Sequence, residues 1–410
     1  MVRQNWIFTR IMCYTKIDKI LWWLATMWLV VDSCTGFFLS YGIDMPLSQV
    51  YKLFVLFLIA IRLIENRKTL IIVWCSLMYI AFYLLHLSLI ASSIKDPLLM
   101  LSKFLSLLYL YLYFCFSFEK FPQIAIANSR KVMIVGWWVL AFNIIIGIMG
   151  YGVPTYKEEN VELGVKGFFF AGNELGGILA VLAPFMFYWL IVRLSGLRLF
   201  ILYLFVILVG VLIGSKTAIL ATLLSAIVVP LLYLPIRKKI LLIVIGTIII
   251  ICLLPFFASL ISDSSIGAIE RWSYFYNTGG IERLVFSGRD EFWELKKRDF
   301  YNSDFNVRWF GMGLDGTVKS VERDHFDTML TFGYIGLGFV LFFFLSLLIK
   351  AVLYRRHNSL IRLVIFSDLL VLCVAFIAGH VWYSAMASIY IALFNAFVFL
   401  HQKEKLYEKE

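Results

Sequence analysis

Twelve runs of apolar residues divide the chain, at roughly 20–39, 47–64, 70–92, 98–118, 132–150, 170–193, 197–214, 217–235, 239–260, 327–349, 360–378 and 381–400. About 20 apolar residues cross the hydrocarbon core of a bilayer as a helix. The pattern therefore predicts an all-α, polytopic membrane protein of about twelve spans. The seventh and eighth runs are separated only by Gly214-Ser215-Lys216, and one long bent helix is the alternative there. One polar stretch stands apart, residues 261–326 between the ninth and tenth runs, with nine bases and eleven acids. It is rich in aromatics, including Trp272, Tyr274, Trp293, Tyr301, Phe305 and Trp309. After Ser287 it reads as a helix: Ser287 can cap it, Asp290 and Glu291 fall in the first turn, and Glu294 reaches Arg298 at i+4. So long a loop with many aromatics is read as a small packed cap. The chain is then a single integral membrane domain, 1–410, with 261–326 as a loop subdomain, and it shows no internal repeat or linker.

Composition agrees and excludes other classes. The chain has 410 residues, 62% hydrophobic and 15% charged, against about 25% charged in a typical soluble domain. A soluble enzyme, a disordered protein and a secreted disulfide scaffold are all excluded. Of the six cysteines, only Cys13 lies outside the apolar runs and none forms a C-x-x-C pair, so inert thiols are expected rather than disulfides or zinc. Arg3, Arg10, Lys16 and Lys19 precede a first run long enough to span, which reads as a retained anchor and not a cleaved signal.

The net charge of +11 is a topology signal. With the N-terminus inside, the cytoplasmic segments carry 22 of the 37 Lys and Arg and net to +16, while spans and outer segments net to −5. This is the positive-inside pattern, and an even span count puts both termini in the cytoplasm. The charge needs no nucleic acid or acidic soluble partner.

Four candidate chemical features then fall on the outer side. Glu322, Asp324, His325 and Asp327 gather where the tenth run enters the membrane, with Asp324, Asp327 and Thr331 on one helix face. Helix capping by Asp324 is the alternative, but a cap needs one acid, and here there are three with a His. Arg289, in Ser287-Gly288-Arg289-Asp290, can grip a phosphate with its planar fork, or pair with Asp290 or Glu291, and Gly311-Met312-Gly313 permits a tight loop nearby. Lys216 lies between two spans, where it meets an anion or snorkels to the headgroups. Asn173, in Gly172-Asn173-Glu174-Leu175-Gly176-Gly177, marks either close helix packing or a binding edge. Asp32, His86, Asn143, Asp368 and His380 are lone polar residues within the runs.

Chemistry on that face, away from nucleotide sugars, needs a substrate that arrives activated in the membrane. A lipid-linked diphosphate fits. Lys216 and Arg289 would hold its pyrophosphate, Glu322 or Asp324 would take the proton from an attacking hydroxyl, and loop aromatics would stack on sugar faces.

The order Gly-Asn-Glu-Leu-Gly, Gly-Ser-Lys-Thr-Ala, Ser-Gly-Arg with a Trp four residues on, Gly-Met-Gly, and an acidic cluster leading into Gly333-Tyr334-Ile335-Gly336 resembles the O-antigen ligase/polymerase superfamily over about residues 165–345. The resemblance implies a GT-C-like ligase/polymerase architecture in the bacterial inner membrane. It also implies transfer of glycan from undecaprenyl diphosphate with no cofactor, and a flippase and chain-length regulator as partners. Ligases of this superfamily often carry His eleven residues before the first Gly of the Gly-x-x-Gly turn. Here that position is Glu322, and Glu322, Asp324 and Asp327 look more like polymerases of the Wzy type. The family's arginine after the small-residue turn is Lys216, which keeps the charge and loses the fork. The expectation is a polysaccharide polymerase with Glu322, Asp324 and Arg289 as catalytic residues. Lys216, Asp327, Asn173 and His325 would bind or orient substrate. A ligase is the alternative within the class, and a lipid-linked glycan flippase the alternative outside it.

Overall fold

A computed structural model of the chain describes residues 14–64, 67–90, 94–158, 161–169, 172–236, 239, 273–274, 276–283, 285–313, 321–356 and 359–400. The predicted ninth span lies outside the described residues apart from Lys239, as do 261–272, 314–320 and both ends of the chain.

The apolar runs become helices α1 (Lys16–Ser40), α2 (Leu47–Ile64), α3 (Arg67–Ile90), α4 (Lys95–Lys120), α5 (Pro122–Ile148), α6 (Gly172–Arg193), α7 (Gly196–Leu212) and α8 (Lys216–Tyr233). After the polar segment, with α9 (Arg289–Asn302) and α10 (Phe305–Phe310), come α11 (Asp324–Tyr354), α12 (Ser359–Ala378) and α13 (Ser388–Ala396). Among the described residues, nine helices are long and apolar enough to cross a membrane, and α7 and 388–399 are shorter apolar helices. The protein is an all-α, multi-pass membrane protein. The seventh and eighth runs are separate helices, broken at Gly214, which has a positive φ.

Helix α1 starts at a capping box: the Thr15 hydroxyl accepts from the Asp18 amide, and the Asp18 carboxylate accepts from the Thr15 amide. Helix α6 is apolar on every side, and such a helix belongs inside a bundle. Among the described spans it is the most buried, and it packs on α8, where a Cβ on Gly176 would overlap Thr217. The small residues of the Gly-Asn-Glu-Leu-Gly-Gly motif thus serve close packing. Large apolar side chains such as Leu89, Phe342 and Leu353 are over 70% exposed. In a spanning bundle these positions meet acyl chains, not water.

Three local features depart from the sequence reading. Residues 154–165 form an antiparallel hairpin, β1 (Pro154–Glu158) with β2 (Val161–Val165), pairing Tyr156 with Leu163. They lie between the fifth and sixth apolar runs, where an all-α chain predicts no strand. The twelfth run is not one helix. Residues 379–387 are irregular and largely buried, and α13 and a 3-10 turn (Phe397–Leu400) follow. Helix α9 is capped by Gly288 in the left-handed region and not by the Ser287 side chain, and Glu294 pairs with Lys297 at i+3.

Helix α11 is interrupted at Gly333 (φ 67, ψ −168). There the backbone after α10 crosses it. A Cβ on Gly333 would overlap the Trp309 carbonyl, and one on Gly311 would overlap that of Thr331. The Met312 amide donates to the Leu330 carbonyl at 2.8 Å, and His86 Nε2 lies 3.0 Å from the Gly311 carbonyl oxygen. The two glycine motifs are therefore the two sides of one backbone crossing, which fixes how the polar segment meets the bundle.

Candidate functional site

The site is built on the entry to α11. The irregular chain at 379–387 cannot satisfy its own amides as a helix would, and a buried unpaired amide is costly. Asp324 meets that need. Its Oδ1 accepts from the His380 amide at 2.5 Å, and its Oδ2 from the Val381 and Trp382 amides at 2.8 Å each. Asp324 is 2% exposed. Asp327, also buried, accepts from the Val321 amide through Oδ1 at 2.7 Å. The Thr328 hydroxyl bonds the Asp324 carbonyl and lies 2.9 Å from the Tyr383 hydroxyl. Both aspartates are thus engaged by backbone donors, and they hold the segment 321–323 against the turn at 379–382.

That segment carries Glu322. Its φ is +58°, a conformation a side chain rarely adopts. The chain is pressed there against Gly379, on which a Cβ would overlap the Glu322 carbonyl. Glu322 Oε2 accepts from Arg289 Nε at 3.2 Å and Nη2 at 3.0 Å. Its side chain is 43% exposed, that of Arg289 11%. Arg289 opens α9 after Ser287 and Gly288, both at positive φ. The Ser287 hydroxyl accepts from Lys216 Nζ at 2.9 Å, so the first residue of α8 reaches across to the start of α9. Among the described residues, Ser287, Glu322 and His380 are the non-glycine residues with positive φ, and all three sit here. Strained backbone of this kind persists where the surroundings over-determine it, typically at functional sites.

Asn173 lies at the start of α6, where its Oδ1 accepts from the Tyr156 hydroxyl of the hairpin at 3.2 Å. Glu174 beside it accepts from the Ser384 hydroxyl at 2.5 Å, tying α6 to the 379–387 turn. The Thr155 hydroxyl donates to the Ile213 carbonyl just before Lys216. His325 lies apart from these polar contacts: its ring stacks on Phe376 (4.7 Å, 9°), and its Nδ1 is buried with no hydrogen-bond partner. The structure therefore brings Arg289, Glu322 and Lys216 together over Asp324 and Asp327. It sets Asn173 on the adjoining helix and places His325 in an aromatic layer.

Sequence reasoning passed over Arg323. Its guanidinium sits over the rings of Phe286 (3.9 Å), Phe326 (4.7 Å) and Phe376 (5.0 Å), and its Nε donates to the Phe376 carbonyl at 3.3 Å. Burial lowers its pKa from the usual arginine value, nearby Asp290 and Glu282 raise it, and Arg289 lowers it. An arginine side chain stays charged throughout, so a third cation stands beside the pair. The partners that give Arg323 meaning are far away in sequence. Ser384 and the 380–382 amides were hidden for the same reason. Three of the lone polar residues of the spans pair on neighbouring helices: Asp32 with Lys52 at 2.6 Å, Asn143 with Ser33 at 2.8 Å, and Asp368 with Asn395 at 2.7 Å.

Chemically, the arrangement offers one half-exposed carboxylate beside fixed cations at an end of a membrane bundle. Cations so placed bind phosphate oxygens, and the carboxylate can accept a proton. A search of the curated proteins finds no match to this chain. The model of the O-antigen ligase like membrane proteins matches residues 15–265 and 276–405. With nearly the whole length matched and the fold all-helical and membrane-spanning, the chain belongs to the O-antigen ligase-like family of membrane proteins.

Proposed function

We propose that this protein is a polysaccharide polymerase. It joins repeat units carried on undecaprenyl diphosphate at the outer face of the bacterial inner membrane, with both termini in the cytoplasm. The observation that carries this reading is the Arg289–Glu322 pair, with Lys216 reaching Ser287 beside it. The growing chain on its lipid diphosphate is the donor. The non-reducing sugar of a new lipid-linked unit supplies the hydroxyl. As the hydroxyl oxygen bonds the anomeric carbon, the bond from that carbon to the phosphate oxygen breaks. The lipid diphosphate leaves with the electron pair, and Glu322 takes the hydroxyl proton. Arg289 and Lys216 steady the charge on the departing diphosphate. Asp324 and Asp327 hold Glu322 in place, and Asn173 with Tyr156 lines the approach. Glu322 is favoured over Asp324 as the base because Asp324 is buried and already accepts three amides.

A ligase that passes finished glycan to another acceptor is the second reading, because the family match covers both. Glu322, where ligases often carry His, favours the polymerase. The test is Glu322→Gln and Arg289→Ala in a host lacking its own copy. General-base loss removes roughly 100-fold or more of the rate, so both variants, present at normal levels in the membrane, should leave single repeat units. Polymer of normal length and amount from both would overturn the assignment, and long polymer stranded on lipid would favour the ligase.

A further inference from the structure

Helix α10 presents Phe305 and Trp309 outward, 63% and 41% exposed. The two rings lie 5.6 Å apart, and Trp309 lies 5.9 Å from Tyr334 at the start of the long part of α11. Tyr334 itself is half-buried, and next to it an exposed apolar row runs down α11 through Ile335, Phe339 and Phe342, 40%, 54% and 71% exposed. The aromatic face of α10 is thus continuous with a face of a spanning helix that meets lipid.

Two helices fix its depth independently. The apolar part of α11 below the break, Tyr334–Ile349, is about 24 Å long at 1.5 Å per residue, against the roughly 30 Å of a hydrocarbon core. Gly333 therefore sits within about one turn of the outer edge of that core, and the end of α10 crosses α11 there. On the other side, His86 binds the Gly311 carbonyl one turn before the end of α3, and Phe310 lies 5.1 Å from Phe82 of that helix. Aromatic side chains concentrate at this level of a bilayer because they are apolar in body and tolerate the interface.

We propose that α10 is an interfacial helix, with Phe305 and Trp309 seated in the bilayer at the boundary of acyl chains and headgroups. This takes those two aromatics out of the set available to stack on sugar. It also makes the bilayer a partner of the site: the crossing at Gly311 and Gly333 ties α10 to α11, so the membrane surface sets the height at which Glu322 stands.

The test is independent of catalysis. In full-length protein with the six native cysteines replaced by alanine, single cysteines at Phe305, Phe339 and Glu294 carry a nitroxide in phospholipid vesicles. The Phe305 label should collide with oxygen nearly as often as the Phe339 label. It should collide with an aqueous nickel chelate about fivefold less often than the Glu294 label, as expected for a residue some 5–10 Å into the interface. Free access of the chelate at Phe305 would overturn the proposal. So would exclusion of both reagents, which would mean that another part of the chain or a second copy covers the face. If the cysteine-free protein fails to fold, the native chain and Trp309→Phe are compared in vesicles of brominated lipid. The emission lost with Trp309 should be quenched by the acyl chains, and an unquenched Trp309 component would overturn the proposal.

Discussion

Two arginine–carboxylate pairs stand at opposite ends of the bundle and differ in nearly everything but chemistry. At the start of α1, Arg62 Nε donates to Asp18 Oδ1 at 3.0 Å, with both side chains 1% exposed. Asp18 Oδ2 takes the Thr15 amide and hydroxyl at 2.9 Å each, and Arg62 lies over Phe116 at 4.9 Å. At the other end, Arg289 uses one oxygen of a Glu322 that is 43% exposed and held at a strained φ. A pair buried on all sides cannot exchange partners without stranding a charge in a dry interior. A half-exposed carboxylate can give up its arginine to a phosphate and be solvated by water. Asp18–Arg62 is therefore a lock, and Arg289–Glu322 a contact that can open.

Breaking the lock should have the largest effect on stability. Asp18→Ala leaves Arg62 buried without its carboxylate, a loss of about 3–5 kcal/mol for a pair so enclosed. The thermal midpoint of the purified protein in detergent should fall sharply, while the rate per folded molecule stays at the wild-type value. Asp18→Leu with Arg62→Met should recover most of the loss. A single variant as stable as the wild type would end the comparison. Glu322→Gln should do the opposite, sparing the midpoint and removing the activity.

The next effect in size separates the neighbouring acids Glu322 and Asp324. Hydrogen bonds to a charged group contribute about 1.5–3 kcal/mol each and do not add in full. Asp324→Ala, which orphans three amides of the 379–387 turn, should cost about 2–4 kcal/mol. Amide exchange at His380, Val381 and Trp382 should rise with it, and activity should fall because the turn no longer holds Glu322. Wild-type protection of those amides in the variant would refute the structural role given to Asp324.

This division between acids could not be read from the sequence. Glu322, Asp324 and Asp327 form a single polar cluster there, and only the fold shows that two of them face backbone amides more than fifty residues away or across a turn. The spans were legible because length and hydropathy are local properties that a bilayer reads directly. The twelfth was misjudged because apolar residues mark burial and not helix: 381–387 is buried as irregular chain, satisfied by a carboxylate from α11. The hairpin at 154–165 was missed because its strands are short and its partners, Asn173 and the Ile213 carbonyl, lie elsewhere in the chain. The glycine motifs were visible as turns, but that Gly311 and Gly333 meet each other is a tertiary fact.

The smallest effect comes from Arg323, and it tests how the opening pair is aimed. Phe286, under its guanidinium, directly precedes Ser287-Gly288-Arg289, and Phe376 lies in α12, so Arg323 clamps the segment leading into α9 against the bundle. A cation over aromatic rings is worth about 1 kcal/mol, which is roughly a fivefold change in an equilibrium constant at about 1.4 kcal/mol per tenfold. Arg323→Gln should therefore raise KM for the proposed lipid-linked donor about fivefold with kcat nearly unchanged, since Arg289 stays present but is held less often in place. Arg323→Lys should recover part of the loss, keeping the charge but not the flat face that stacks on the rings. A large fall in kcat at constant KM would instead put Arg323 in contact with the reacting groups. The opening contact would then be a three-cation site rather than a single pair beside a clamp.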